Sequence, residues 1–318
     1  PRSGTNGRTP PSEGLREEKR ADAQQATGKG LLGRLPSRHR GPTARANMAV
    51  DFVIPVFNQL DYTVQCLKSL TAAGVPDTDI VLVDNASTDG TRQFLAGRPQ
   101  LRVITNESNR GCAVAWNQGV EAAQAPWTII LNNDVVVAPG LREALVQFAQ
   151  EKDYQIVSPA MGEGPLDYDL AQFAGEFLAR MRHQWRSGLA NGVCFMVQRQ
   201  VFERIGLFDP RLGLAGYEDE DFFRRAGRAG FRLATTGRAY LHHFGSVTQK
   251  SVKAAQKMAP GTALSDARYF RKKHRQNWLR RRTDRLQEKL LGAWWRWRER
   301  RGTGLTLVMR RAGGRWCT

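Results

Sequence analysis

Hydrophobic and polar positions divide the chain into three stretches. Residues 1–47 show no hydrophobic period. From residue 48 to about 250, short apolar runs alternate with amphipathic stretches. Residues 264–301 carry Phe270, Trp278, Leu286, Leu290 and Trp294 four or eight apart, with Arg and Lys between them. In the middle stretch, 50–58 predicts a strand ending in a Pro-containing loop. Asp61 then opens a helix with Val64, Leu67 and Leu70 on one face. A strand over 80–84, a polar turn over 85–90 and a second helix follow. Next come a short strand over 101–104, a helix through Ala113, Trp116, Asn117 and Val120, and a strand over 127–131. Alternation of this kind predicts an α/β fold with a mostly parallel sheet flanked by helices. Further on, the pattern predicts a helix over 140–150 and a strand over 156–159. Residues 160–190 have little period; 191–197 predicts a buried strand, with a helix from about Gln200. Strands are expected over 231–234 and 239–246.

The stretch that organises this pattern is 129–137, where an apolar run breaks into Asn132-Asn133-Asp134 and resumes as three valines. Parallel strands buried on both faces read this way, and α/β sheets hold ligands just beyond such carboxyl ends. Asp84 ends the second strand, so the two carboxylates are expected on one rim. A carboxylate there suits a hard cation, and the cation a diphosphate. Each has a plainer reading: Asn-Asn-Asp as a turn former, and Asp84 as the opener of the 85–90 turn. In 216–222 four carboxylates stand in succession, Glu218 to Asp221. They predict an acidic helix N-terminus, or a loop facing a cleft in which a carboxylate could take a proton from a hydroxyl. His242 and His243 close the last strand as structural residues or metal ligands.

Charge sharpens the division. The net +18 comes from +6 over residues 1–48, −4 over 49–249 and +16 over 250–318. A mildly acidic domain between basic ends argues against a nucleic-acid binder. Four scattered cysteines give neither a metal spacing nor a disulfide framework, so a reducing cytoplasm is expected. No apolar run reaches the ~18 residues of a membrane span. Residues 1–47 read as a disordered basic leader or upstream sequence, with Met48 as the natural start.

Six motifs in order resemble the family-2 glycosyltransferases of the GT-A fold, most closely a bacterial rhamnosyltransferase-like branch that builds cell-surface polysaccharide. They are VIPVFN (53–58), VDNASTDGT (83–91), NRGCAVAWNQG (109–119), LNND (131–134), GYEDEDF (216–222) and HHFGS (242–246). The resemblance implies a GT-A catalytic domain over 48–250 that transfers a sugar from a nucleoside-diphosphate sugar to a hydroxyl of a glycan or lipid-linked acceptor. Pro55 and Asp84 would line the nucleotide pocket, with Asp84 bonding the base. Asn109, Arg110 and Gly111 would sit beside the nucleotide, with Asn117 behind them. Asn132-Asn133-Asp134 would be the D-x-D element, with Asn132 in place of its first Asp and Asp134 binding Mn²⁺ or Mg²⁺. Asp219 would be the general base of an inverting reaction and Glu218 would meet the acceptor, with Asp221 a second candidate base. His243 would join the metal, because Ser246 and Thr248 follow at the family's spacing; His242 is the alternative.

Residues 251–318 read as a basic, Trp- and Arg-rich helical tail. A basic amphipathic helix with Trp and Leu on one face suits a membrane interface rich in anionic lipid. The enzyme is therefore expected in the cytoplasm, peripheral at the inner face of the plasma membrane, with no specific nucleic-acid partner. The stretch Tyr269 to His274 also resembles the start of the tail in this family, where it packs on the catalytic domain. Two other readings compete. A sugar nucleotidyltransferase would need a Gly-rich, cationic loop after the first strand, and 55–60 has neither. A non-catalytic module binding lipid or nucleic acid would have no use for the acidic set Asp84, Asp134 and Asp219.

Overall fold

The computed structural model describes residues 48–212, 216–245 and 262–317. Four parallel strands form its first half: β1 (Val50–Val56), β2 (Ile80–Asp84), β3 (Arg102–Thr105) and β4 (Trp127–Leu131). β1 lies between β2 and β4, and β3 flanks β2. The crossovers are helices α1 (Leu60–Ala72), α2 (Thr91–Ala96) and α3 (Cys112–Ala122). Strand alternation feeds both faces. Phe52, Ile54, Ile129 and Leu131 pack with Cys66, Leu67 and Leu70 of α1. Val53 and Ile130 face the other way, toward Ala113, Trp116 and Val120 of α3. Helix α3 comes so close to the sheet that a Cβ on Gly119 would lie 2.2 Å from Val53 Cγ1.

The second half adds β5 (Val135–Val137), α4 (Leu141–Lys152), β6 (Ile156–Glu163), α5 (Leu170–Met181), β7 (Trp185–Ser187), β8 (Cys194–Gln198), α6 (Arg199–Ile205), α7 (Glu218–Arg228) and β9 (Leu233–His243). β8 runs antiparallel between β4 and β6. β9 pairs with β6 in parallel and with β5 and β7 antiparallel, which curls the sheet beyond β4. The mixed, mostly parallel α/β architecture is therefore the one expected. Two regions of this half differ. The strands expected over 231–234 and 239–246 are one strand, β9, within which Gly237 passes so close to α5 that a Cβ there would lie 2.2 Å from the Met181 carbonyl oxygen. The region without apparent period holds α5, capped by Asp169 accepting from the Gln172 amide at 2.9 Å. Its Ala174, Phe177 and Met181 are buried at helical spacing.

The helix expected over 264–301 is two helices, α8 (Thr262–Lys273) and α9 (Trp278–Thr303). Arg275 breaks the run with φ 49°, and the Asn277 side chain caps α9. Two strands then follow that the helical reading of the tail did not include, β10 (Val308–Ala312) and β11 (Arg315–Cys317). They turn at Gly313 and Gly314, both at positive φ, and β10 pairs in parallel with β6. The tail is thus part of the sheet. Phe270, grouped with the apolar stripe from its spacing, is instead buried in α8.

Helix α9 is tied down by Glu299, which receives two bonds from Arg186 of β7 at 2.7 and 2.8 Å and one from the Leu307 amide at 3.0 Å. Removing one partner of a buried ion pair leaves the other desolvated and unpaired. Glu299→Ala should therefore cost about 3–5 kcal/mol in urea unfolding; a loss below ~1 kcal/mol would mean that α9 is not held by this pair.

Candidate functional site

Because β1, β2 and β4 are parallel, their carboxyl ends share one rim, and most of the residues expected from the sequence lie there. The loops that follow the strands are backbone-strained. Asn58, Gln59 and Ala86 all have positive φ (56°, 62° and 72°), a conformation that costs a non-glycine residue energy and concentrates at functional sites. Beside them opens a cleft of about 430 Å³ lined by Asn58, Gln59, Leu60, Asp61, Tyr62, Thr88 and Asp89.

Asp84 is fully buried. Its Oδ1 accepts from the Ser87 amide at 2.9 Å, and its Oδ2 accepts from Arg92 Nε at 2.8 Å. It therefore does open the 85–90 turn, and contact with a base would need Arg92 to move aside. Pro55 lies half-buried in β1, opposite Val83. Asn109, Arg110 and Gly111 are set by an amide network. Asn85 donates to Asn109 Oδ1 at 2.8 Å, and Asn85 Oδ1 accepts from the Arg110 amide at 3.0 Å and from Asn106 at 3.1 Å. Asn106 in turn exchanges bonds with Gln118 of α3. Gly111 takes φ 85° as α3 begins, and the Arg110 side chain is exposed. Asn117 pins the 206–209 loop by exchanging two bonds of 2.9 Å with the Phe208 backbone.

The Asn-Asn-Asp segment splits its side chains. Asn133 turns inward to Thr63 of α1 at 3.0 Å, while Asn132 is half-buried and its amide donates to the Val193 carbonyl at 3.0 Å. Asp134 stands just before β5. There the register Val135 opposite His243, with the Phe244 amide on the Asp134 carbonyl, brings His243 Nε2 to 3.5 Å from Asp134 Oδ1. Strand alternation sends His242 to the opposite face, where Nδ1 meets the Tyr168 hydroxyl at 3.0 Å. Burial pushes its pKa down to about 4, so it is a neutral imidazole. Of the two histidines, His243 is thus the one that faces Asp134. Glu163, opposite His243 in the β6–β9 register, has Oε2 4.0 Å from His243 Nδ1. A carboxylate and an imidazole this close are a donor set suited to one divalent cation. Among the described residues no group of three or more His, Cys, Asp or Glu is arranged to hold a metal. Ser246 and Thr248 lie outside the described residues.

Opposite stands the first turn of α7. Its four acidic residues meet the positive end of the helix dipole, following Gly216 and Tyr217 at φ 108° and 76°. Asp219 sits over the loop before β8, so near that a Cβ on Gly192 would lie 2.0 Å from its Oδ2. Gly192 precedes Val193, whose carbonyl holds the Asn132 amide, so Asp219 and Asn132 flank one strand end. Burial raises the Asp219 pKa. Glu218, expected to meet the acceptor, is buried instead against Cys112 at the start of α3. Burial and the neighbouring Asp219 push it up to about 7. Asp221, the second candidate base, is fully buried and bonded to Arg225, Lys273 and His274, which removes it from contact with any acceptor.

Residues 51–206 match the profile of glycosyl transferase family 2. The domain belongs to that family. Among curated relatives, glycosyltransferase GlyG of Streptococcus pneumoniae is 30% identical over 34% of this chain and 37% of its own length. N-acetylglucosaminyl-diphospho-decaprenol L-rhamnosyltransferase of Mycobacterium tuberculosis is 28% identical over 56% of this chain and 70% of its own. A crystal structure of Staphylococcus aureus TarS (residues 1–349) is 18% identical over 65% of this chain and 63% of that one, with a TM-score of 0.48. The chain spans only 37% and 39% of the first two curated relatives it matches.

Sequence reasoning missed Asn85, Asn106, Gln118, Gly192 and Glu163. The three amides sit in or beside the quoted motifs and were visible as residues, but their partners come from different loops. Glu163 and Gly192 depend on strand register. Gly192→Ala should force the Asp219 carboxylate aside and cost about 1–3 kcal/mol by overpacking. Adding Asp219→Ala should recover most of that loss in urea unfolding, whereas strictly additive effects would place the two residues apart.

Proposed function

We propose that the chain is a metal-dependent, inverting glycosyltransferase. It would move a hexosyl unit, rhamnosyl above all, from a nucleoside-diphosphate sugar to a hydroxyl of a glycan or lipid-linked acceptor in cell-surface polysaccharide synthesis. The observation that carries this reading is the convergence of Asp134 with His243 on one side of the β4 end and Asp219 on the other. The rhamnosyl assignment draws on the named activity of the mycobacterial relative.

On the donor side, Pro55, Asp84, Asn109, Gly111 and Asn132 would shape the nucleotide pocket, and the exposed Arg110 would meet the diphosphate. Asp134 and His243 would hold Mn²⁺ or Mg²⁺, which when bound would offset the charge developing on the diphosphate leaving group. On the acceptor side, Asp219 would take the proton of the attacking hydroxyl. Its burial favours this, because a raised pKa makes the carboxylate a stronger base. Attack from the face opposite the diphosphate, with no covalent intermediate, would invert the anomeric centre. Glu218 would act by setting the surroundings of Asp219.

The acceptor and the tail suit one location, the inner face of the plasma membrane. At ~100° per residue, Leu279, Leu286, Leu290, Trp294 and Trp297 form one stripe along α9, with Leu290 63% and Trp297 55% exposed. Trp295 and Glu299, both buried, lie on the opposite face. Arg282, Lys289, Arg296 and Arg300 flank the stripe on one side, Arg280 and Arg298 on the other. An apolar stripe between cations is complementary to an anionic bilayer surface. Among the described residues no helix is long and apolar enough to cross a membrane.

Two measurements test these assignments. A panel of nucleoside diphosphates with and without Mn²⁺ should contain one that raises the melting temperature only with metal, by mass action, and the effect should vanish in Asp134→Ala. A panel without response would overturn the donor assignment. The variant L286S/L290S/W294S/W297S should keep the wild-type melting temperature yet lose at least tenfold in affinity for vesicles containing phosphatidylglycerol. Unchanged binding would remove α9 from the membrane.

A further inference from the structure

The turn that carries Glu218 and Asp219 is held from outside the segment that matches the family. Asp221, two residues beyond Asp219, has no exposed surface. An ionised carboxylate so placed must be paired and hydrogen-bonded to be tolerated. It accepts from Arg225 Nε at 2.8 Å, from Lys273 Nζ at 2.7 Å and from His274 Nε2 at 2.9 Å. Burial pushes its pKa up, but the bonds from Lys273 and Arg225 outweigh this and hold it below the ordinary range. Arg225 belongs to α7 itself; the other two donors come from the end of α8.

The other end of the turn is held by the same helix. Tyr217, the residue before Glu218, packs its ring on Phe270 with centroids 5.1 Å apart, and Phe270 packs on His274 at 4.6 Å. Lys273 also reaches Asp209 at 2.8 Å, where the Tyr269 hydroxyl donates as well. Arg225 ties α7 to the same loop through the Ile205 and Leu207 carbonyls, both at 2.7 Å. One face of α8 (Tyr269, Phe270, Lys273), with His274 just beyond its end, thus spans both ends of a single helical turn. Among the described residues, the Asp219 carboxylate takes its hydrogen bonds from amides of its own turn, the Glu220 amide at 2.7 Å among them, so its direction depends on where this turn sits.

We propose that Lys273 and His274 are positioning residues for glycosyl transfer. Through Asp221 they fix the turn of α7 that aims Asp219 at the acceptor, so that the tail is part of the catalytic unit. This rests on the reading of Asp219 as the base. His274 works as a neutral donor: burial lowers its pKa, and Nε2–H points at the Asp221 carboxylate.

The test uses the full chain with His274→Leu, which removes the donor, and His274→Gln, whose side-chain amide nitrogen stands the same number of bonds from the backbone. Lys273→Met is the independent second variant. Hydrogen exchange of amides 217–222 reports the turn without any substrate. His274→Leu and Lys273→Met should raise exchange there by tenfold or more, and His274→Gln should restore most of the protection. In transfer assays the first two should lose about 10–100-fold in kcat, with donor KM within twofold of wild type and activity recovered in His274→Gln. Unchanged exchange, or equal kcat loss in the Leu and Gln variants, would overturn the positioning role. Altered exchange in the variants, with a wild-type chain that transfers no sugar, would overturn the catalytic reading, leaving only a structural clamp.

Discussion

The candidate site depends on one register. Val135 stands opposite His243 in the antiparallel β5–β9 pair, and this alone puts an imidazole beside Asp134. A slip of one residue would present His242, which carries a different shell of Tyr168 and Phe244, and would turn His243 away. The register is fixed because β9 also pairs with β6 over its length and with β7, and both its faces are buried. The same strand brings Glu163 to His243 from the other side. Pairing across three neighbours therefore specifies the chemistry at a position where the local sequence, two adjacent histidines, is ambiguous.

The acidic turn of α7 poses the opposite problem, since four adjacent carboxylates repel one another. The fold separates them. Glu218 goes inward to Cys112, Glu220 pairs with Arg224, and Asp221 is enclosed by three cationic or donor groups, which leaves Asp219 over Gly192. A helix alternates the directions of successive residues by about 100°, so neighbours in sequence face different surroundings. That is how one acidic run can contain a buried neutralised group, a surface pair and an oriented carboxylate.

Much of this was legible beforehand, and the boundary follows a physical line. The parallel half of the fold was readable because its strands are continuous apolar runs and its loops carry the motif residues close together in sequence. Asp84 was legible as the opener of the 85–90 turn at the end of β2, which is where it lies. Helix α5 was overlooked although Asp169 and the spacing of Ala174, Phe177 and Met181 announce it; flanking aromatics masked the period. The β10–β11 hairpin was signalled only by Gly313-Gly314 between short runs rich in Arg. Glu163 and Gly192 could not be read at all, and Tyr269 to His274 was legible only as a stretch packing on the domain, without the partners of Lys273 and His274. Their importance arises from partners 27 to 80 positions away along the chain, which only pairing and packing bring together.

Charge shows the same separation between composition and placement. The sequence presents +16 in the last 69 residues, a figure that suggests an external anionic partner. Part of it is consumed internally: Lys273 neutralises Asp209 and Asp221, Arg310 meets Glu163, and Arg311 meets Asp167. Two of these acidic groups already have a partner inside the 49–249 stretch, Asp209 in Arg211 and Asp221 in Arg225, so the tail adds to their pairing. What remains concentrates on α9, whose 9 Lys and Arg face only 3 Asp and Glu and line the sides of its exposed apolar stripe. Net charge alone would merge these two populations. Their separation into a set that completes the domain and a set that faces outward explains why α8 is buried against α7 while α9 presents Leu and Trp to its surroundings.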